Sequence, residues 1–253
     1  MITCDKSAYK LMHNATVALS QVESNGIRID EAYLFQSMKD IEEKIATNEK
    51  ILRNSSEYRV WRKRFGDNTK LGSKEQLATV VFDCLGFKSK TKTATGKHSS
   101  DEGAFADVDL EFVKIYFQNE KLKKAGGTYF AGIARESING YVHPNFNLHT
   151  TITYRSSSDN PNFQNIPKRN KEIAGLIRRC YIPRDGHVLC EVDFSGAEVR
   201  VSACYNKDKN LLNYIKDSTT DMHRDVACQV FMLKPEEVDK KGPRDCCKNM
   251  FVF

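Results

Sequence analysis

Acidic and basic side chains recur in the last third of the sequence at spacings that could serve phosphate chemistry. Asp193 ends the apolar run His187–Asp193, which predicts a short β-strand. A carboxylate at the end of a strand is rigidly aimed and commonly binds a hard divalent cation. Arg244 and Lys248 are four residues apart, so they share one face of a helix predicted to begin at Pro243. Two cations on one face near a helix start would suit a triphosphate.

Each of these signals also has an ordinary structural interpretation. Most aspartates at strand ends form turns, and an Arg–Lys pair on a helix is often a solvated basic face. The neighbouring residues favour a site: Glu198 and Arg200 follow Asp193 on a predicted helix. Asp221 and His223 open another helix.

The elements that must position these side chains divide into a helical first part and a mixed second part, with a boundary near residues 135–145. Between Asp30 and Leu52, apolar residues recur at three- and four-residue steps, which predicts a helix with Asp30 as its N-cap. The recurring residues are Leu34, Met38, Ile41 and Ile45. Ser73 is the predicted N-cap of a second helix, and residues 101–126 continue the helical pattern.

The second part combines strand-like and helical segments. Residues 141–148 alternate in polarity with a break at Pro144, residues 150–154 are β-prone, and residues 161–167 predict an irregular stretch. The expected helices after Asp193 cover residues 196–205, 210–216 and 221–233, and residues from Pro243 onward.

Composition narrows the class of protein. The chain has 253 residues, 28% charged and 40% apolar, which is ordinary for a soluble globular protein of about one to two domains. A net charge of +6 suits an anionic partner without requiring one. The sequence lacks an apolar run of about 18 residues and a signal-peptide pattern, so we expect no membrane contact and a cytoplasmic location. Its eight scattered cysteines, without a C-x-x-C pair, favour reduced thiols over zinc or disulfides.

Taken together, these segments resemble the family A DNA polymerases, the DNA polymerase I type. Asp193–Arg200 reads DFSGAEVR and resembles the family's first catalytic motif, D-[YF]-S-x-[IL]-E-[LV]-R. Asp221–His223 resembles the D-[IM]-H that follows it. Arg244–Lys248 resembles the R-x-x-x-K that opens the family's nucleotide-binding helix.

The resemblance extends over nearly the whole chain, in the family's order. Residues 155–158 and 161–167 resemble the R-x-S-S segment and the P-N-L-Q-N-I-P segment. Residues 23–30, 71–77 and 90–97 resemble parts of the thumb, the last being its basic tip. A run of similar segments in one order is far more specific than any single motif.

The resemblance implies an α+β fold, a fragment of the right-hand polymerase architecture. Residues 1–139 would form a helical thumb with a basic tip near residues 88–98. Residues 140–205 would form a partial palm sheet with the first catalytic motif. Residues 206–253 would start the fingers and end inside the nucleotide-binding helix.

The resemblance also implies roles for single residues. Asp193, with the carbonyl of Phe194, would bind two Mg²⁺ ions about 4 Å apart that activate the primer 3′-hydroxyl and neutralise the leaving pyrophosphate. Glu198 would be a steric gate that crowds a 2′-hydroxyl and so favours deoxynucleoside triphosphates. The implied catalytic residues are Asp193, Glu198, Arg244 and Lys248. The implied nucleotide-binding residues are His223, Arg244, Lys248, Glu198, and Phe251 or Phe253 as the base-stacking aromatic.

Primer-template DNA is the other implied partner. Arg155, Asn162 and Gln164 would contact it through minor-groove acceptors and phosphates, without sequence preference. Lys90, Lys92 and Lys97 would contact duplex phosphates from the thumb tip. Their segment has no apolar face to bury, so an ordinary solvated basic loop is the alternative.

Departures from the family pattern shape the expected activity. Gly196 and Ala197 replace the more usual Gln-Ile, and such local variants resemble those of phage-encoded enzymes. The Tyr-Gly pair of the nucleotide helix, the later H-D motif with the second carboxylate, and the exonuclease segment are not in this sequence. We therefore expect a split polymerase, inactive alone and completed by a C-terminal chain in a bacterial or phage-infected cytoplasm. A truncated fragment would read the same way.

A non-catalytic module that binds primer-template DNA is the alternative of a different class. The combination of implied catalytic and nucleotide-binding residues argues against this alternative, because DNA binding alone requires none of them. These residues are Asp193, Glu198, His223, Arg244 and Lys248.

Overall fold

The computed structural model describes residues 5–89, 91–93, 96–151, 155–167, 170–194, 196–217, 219–239 and 242–250. The predictions for Lys90, Phe251 and Phe253 lie outside these residues. The chain forms two compact units, Met1–Leu189 and Cys190–Phe253.

The first unit is mainly helical. Its helices are α1 (Lys6–Asn25), α2 (Glu31–Asn54), α3 (Ser56–Phe65), α4 (Lys74–Ala78), α5 (Glu111–Lys124), α6 (Ala131–Glu136) and α7 (Lys171–Arg178). α4 continues as π-helical turns over Thr79–Cys84, and a second π-helical segment, Ala125–Phe130, joins α5 to α6.

The predicted N-caps Asp30 and Ser73 are confirmed, whereas the helical pattern predicted over residues 101–126 forms an α-helix only from Glu111. The Asp30 carboxylate accepts a hydrogen bond of 2.9 Å from the Tyr33 amide at the start of α2. The Ser73 hydroxyl accepts one of 3.3 Å from the Gln76 amide at the start of α4. These caps satisfy amides that have no partner within the first turn of a helix, so they set where each helix begins.

Two short antiparallel sheets lie in the first unit. β1 (Ile27–Arg28), β2 (Ser137–Ile138) and β3 (Tyr141–Val142) pair in the order β1-β3-β2. β4 (Asn145–Asn147) pairs with β5 (Ser157–Asp159), and Phe146 lies opposite Ser158. The predicted break at Pro144 separates β3 from β4, as expected for a residue without an amide hydrogen.

The first unit is built on two apolar clusters. One surrounds Trp61 and includes Leu77, Phe112 and Tyr116 from α4 and α5. The other is formed by α2, by α7 and by the segment that follows α5. Leu34 and Ile41, from the predicted face of α2, are buried in it. Each cluster brings together residues that are far apart in the sequence.

The second unit contains four α-helices among its described residues. They are α8 (Ala197–Asn206), α9 (Lys209–Lys216), α10 (Met222–Phe231) and α11 (Pro243–Met250). They match the four helices expected after Asp193, and Ala203, Ala227 and Cys247 are their buried apolar residues.

The predicted strand His187–Asp193 is wrong. The described residues of this segment are neither helix nor strand, and Val188 and Val192 are 86% and 82% exposed. A strand requires a neighbour to accept and donate its backbone hydrogen bonds, and none of the described strands pairs with this segment. An apolar run therefore does not form a strand without a partner.

No helix in the described part of the chain has both the length and the apolar character of a membrane span.

Candidate functional site

A cavity of about 760 Å³ in the second unit contains every predicted metal- and nucleotide-binding residue whose side chain is described. Those residues are Asp193, Phe194, Glu198, His223, Arg244 and Lys248. They come from the segment before α8 and from α8, α10 and α11, so the helices of this unit bring together residues that are up to one fifth of the chain apart. Asp193 lines the cavity even though the strand predicted to hold it is absent.

The chain turns into α8 at a glycine in the left-handed region. Gly196 has φ of 60° and ψ of 42°, and a Cβ added there would have no described heavy atom within 4 Å. The requirement for glycine is therefore one of backbone conformation and not of space. This turn places Glu198 in the first turn of α8, where a carboxylate interacts favourably with the helix dipole.

Asp221 connects α10 to α11 through an ion pair. Its Oδ2 accepts a hydrogen bond of 2.9 Å from Nε of Arg244, and its Oδ1 accepts one of 3.1 Å from the Arg224 amide as the N-cap of α10. Partial burial acts to raise the pKa of Asp221, but these hydrogen bonds outweigh it and hold the pKa below its usual value. Arg244 is thereby held at the cavity, and Lys248 lies exposed one turn further along α11.

A second carboxylate, Asp225, connects α9 to α10. It accepts hydrogen bonds from the Tyr214 hydroxyl and, at 2.7 Å, from Nε of Arg224. Burial and the bond to Asp225 raise the pKa of Tyr214, so its hydroxyl stays a donor. Sequence reasoning missed Asp225 and Tyr214. The pair is eleven residues apart on different helices, and no local pattern signals such a contact.

The donors for a metal ion are suitable in type and few in number. Asp193 and Glu198 offer exposed carboxylate oxygens at the cavity, and oxygen is the ligand that Mg²⁺ prefers. Within the described ranges, however, no group of three or more His, Cys, Asp or Glu side chains could hold a metal ion.

The predicted DNA contacts Arg155, Asn162 and Gln164 lie in the first unit, where residues 155–167 fold on themselves. The buried hydroxyl of Ser158 accepts hydrogen bonds from the amides of Phe163 and Gln164, at 3.0 and 3.1 Å. The Gln164 side chain donates to the Ser156 hydroxyl at 2.9 Å, and the three predicted side chains are exposed. Ser158 thus brings the two motif segments together.

Lys92 and Lys97 lie on an exposed turn whose base is held by a histidine. Lys92 forms a backbone bridge with His98, and the Thr93 amide donates to the Lys97 carbonyl at 2.8 Å. His98 Nε2 lies 3.0 Å from the Asp83 carboxylate. The described residues of the predicted solvated loop contain no helix, in agreement with the prediction.

Comparison with known proteins identifies the family. The sequence profile described as DNA polymerase family A matches residues 35–252. The chain belongs to DNA polymerase family A. DNA polymerase I of Pseudomonas aeruginosa is 31% identical over 226 residues, which cover 87% of this chain and 23% of that protein. The thermostable DNA polymerase I of Thermus aquaticus is 32% identical over 230 residues, which cover 88% of this chain and 26% of that protein.

The fold of this family A chain is also similar to a solved structure. The POL domain of Pol1 from M. smegmatis, in complex with DNA primer-template and dNTP, is 27% identical with a TM-score of 0.72. The match covers 92% of this chain and 40% of that one. The chain thus spans about a quarter of the length of the curated relatives described above.

Proposed function

We propose that this chain is part of a DNA polymerase that extends a primer by template-directed nucleotidyl transfer. The observation that carries the proposal is the convergence of Asp193, Glu198, His223, Arg244 and Lys248 on one cavity in a chain of family A. A site for phosphoryl transfer needs positioned anionic ligands beside cations that bind phosphate, and this cavity presents both.

Each side chain has a distinct role in this proposal. Asp193 and the main-chain carbonyl of Phe194 would hold Mg²⁺, which, when bound, supplies activation of the primer 3′-hydroxyl and neutralisation of the leaving pyrophosphate. Glu198 would crowd a 2′-hydroxyl and so select deoxynucleotides.

The cationic wall of the cavity would bind the triphosphate. Arg244 and Lys248 would contact its oxygens from one face of α11, with His223 on α10 beside them. Arg244 already shares a hydrogen bond with Asp221, so an incoming triphosphate would compete with that carboxylate for the guanidinium. The base would stack on Phe251 or Phe253.

The primer-template would be bound by the first unit. Arg155, Asn162 and Gln164 are exposed on one folded segment, and Lys92 and Lys97 on another, with Lys90 in the same sequence run. In this proposal residues 1–139 are the thumb, residues 140–205 a partial palm and residues 206–253 the start of the fingers.

We further propose that a second catalytic carboxylate comes from polypeptide outside this sequence, either a complementing chain or a continuation of this one. The small number of metal donors among the described residues supports this, and so does the exposed apolar segment that contains Val188 and Val192. Such a segment would gain backbone partners from added strands.

Primer extension tests the proposal. The chain is assayed alone and mixed with the C-terminal part of a family A polymerase that carries the H-D motif. We expect extension only in the mixture, and a loss of about 10³-fold with Asp193→Ala. Glu236→Ala, at an exposed carboxylate that does not line the cavity, is the matched control.

DNA binding without extension in any mixture would contradict the polymerase and support the binding module instead. Extension by the chain alone would contradict the need for a second carboxylate from outside.

A further inference from the structure

A second basic surface lies on α3 and the residues that connect it to α4. Ser56–Lys74 contains six basic and two acidic residues, a net charge of +4 in a chain whose net charge is +6. All six basic side chains are exposed. We call them the α3 surface; they are Arg59, Arg62, Lys63, Arg64, Lys70 and Lys74.

One buried aromatic residue sets the orientation of α3. Trp61 is fully buried, 6.2 Å from the ring of Phe112 and 6.1 Å from that of Tyr116. Successive residues of a helix are about 100° apart, so Arg59 and Lys63 lie on the side away from Trp61. The packing of Trp61 therefore directs these two cations to solvent.

Gln76 connects α3 to the backbone around Lys70. Its side-chain oxygen accepts hydrogen bonds of 2.9 Å from Nε1 of Trp61 and from the Lys70 amide. Its side-chain nitrogen donates to the Asn68 carbonyl at 2.9 Å. Cations on a backbone that is already ordered lose less conformational entropy when they bind a ligand.

The carboxylates around this surface neutralise little of its charge. Within the part of the chain that the structure describes, one of the six side chains forms an ion pair: Arg62 lies 3.9 Å from Asp67. Exposed like charges repel one another, and an anionic partner would remove that repulsion. The cations of the last turn also interact favourably with the dipole of α3. This interaction is the alternative explanation for the basic residues there, and it involves no ligand.

We propose that the α3 surface binds the phosphate backbone of the duplex part of a primer-template, as a contact separate from the exposed turn of Lys92 and Lys97. Arg59 and Lys63 are four residues apart, about 6 Å along the helix axis, which suits a repeating array of phosphates better than a single anion. The inference rests on the proposed function, since it assigns this surface to the same DNA.

The test is the salt dependence of DNA binding by the full chain, measured by fluorescence anisotropy with a labelled primer-template. Arg59→Gln with Lys63→Gln should weaken binding by roughly tenfold and reduce the slope of log K against log salt by about 2. Lys39→Gln with Lys44→Gln, two exposed lysines of α2, changes the net charge equally and should leave the slope unchanged.

The outcomes separate the two proposals. If the unaltered chain does not bind the primer-template, the proposed function fails. If it binds and the Arg59/Lys63 variant keeps the full slope, the α3 inference is overturned. If the double variant unfolds, Arg59→Gln alone is measured instead. Arg59 lies outside the last turn of α3, so this variant leaves the interaction with the helix dipole unchanged.

Discussion

The two units of the chain differ in how they are held together. In the first, large side chains such as Trp61 in one cluster and Phe130 in the other fill two buried clusters. In the second, the buried apolar residues among those described are Ala203, Ala227 and Cys247, all small. Large apolar side chains lie at its surface instead, with Phe194 81% and Met232 93% exposed.

The difference shows where the chain depends on burial and where it depends on polar contacts. Apolar burial contributes about 25 cal/mol per Å², so the clusters of the first unit provide most of the stabilisation. The helices of the second unit are joined by the carboxylates Asp221 and Asp225. The cavity with the proposed chemistry thus lies in the unit with less buried apolar surface, as expected for a region that must admit a ligand.

The largest effect should come from removing a core side chain of the first unit. Leu77→Ala deletes apolar atoms that are fully buried, and we expect a loss of about 2–5 kcal/mol of unfolding free energy. This loss is measured by urea denaturation, monitored through the fluorescence of Trp61. Trp61 is the single tryptophan and lies in the first unit, so its signal reports on that unit. A loss below about 1 kcal/mol would show that this cluster does not stabilise the first unit.

A smaller effect is expected from the polar contacts of the second unit. Asp221→Ala removes both the N-cap of α10 and the ion pair with Arg244, and should cost about 1–2 kcal/mol. Amide hydrogen exchange in α10 and α11 should speed up while exchange in α5 is unchanged. Asp221→Asn keeps the cap and should recover part of the loss; equal losses for the two variants would contradict a role for the cap.

Acid should loosen the second unit in a way that depends on these carboxylates. The pKa values of Asp221 and Asp225 are held below the usual value of about 3.9, because the hydrogen bonds to the charged forms outweigh burial. The two carboxylates therefore contribute fully to the free energy of unfolding above the pKa that they have in the unfolded chain. This contribution is lost as the pH falls below about 4. Hydrogen exchange in α10 measured from pH 6 to pH 3 should show this loss. The same profile with Asp221→Asn and Asp225→Asn would rule out the two groups as its cause.

The smallest effect should come from an exposed aromatic residue. Phe194→Ser should change the stability of the chain alone by less than about 0.5 kcal/mol, because the side chain is already solvated. In a mixture with a complementing C-terminal segment the same change should weaken association, measured by analytical ultracentrifugation. A large loss of stability in the isolated chain would mean that Phe194 is buried in solution, which would remove this contrast between the units.

Much of the local structure could be predicted. The caps Asp30 and Ser73 and the apolar face of α2 act within one or two helical turns, so the relevant partners are adjacent in the sequence. Six of the residues that line the cavity were predicted as a set, because their spacing in motifs resembles one family; they are Asp193, Phe194, Glu198, His223, Arg244 and Lys248. The left-handed conformation of Gly196 was not predicted, because it is a property of the turn that leads into α8.

The sequence by itself determined α2, α4, α5 and the four α-helices of the second unit, the resemblance to one family, and the candidate residues that the cavity brings together. The tertiary structure alone decided the pairing of Asp221 with Arg244, twenty-three residues away, and of Trp61 with Gln76. It also decided that His187–Asp193 is not a strand in this chain. The physical reason is common to all three: a helix satisfies its hydrogen bonds locally, whereas ion pairs, buried polar contacts and strands depend on partners that the chain must bring from elsewhere.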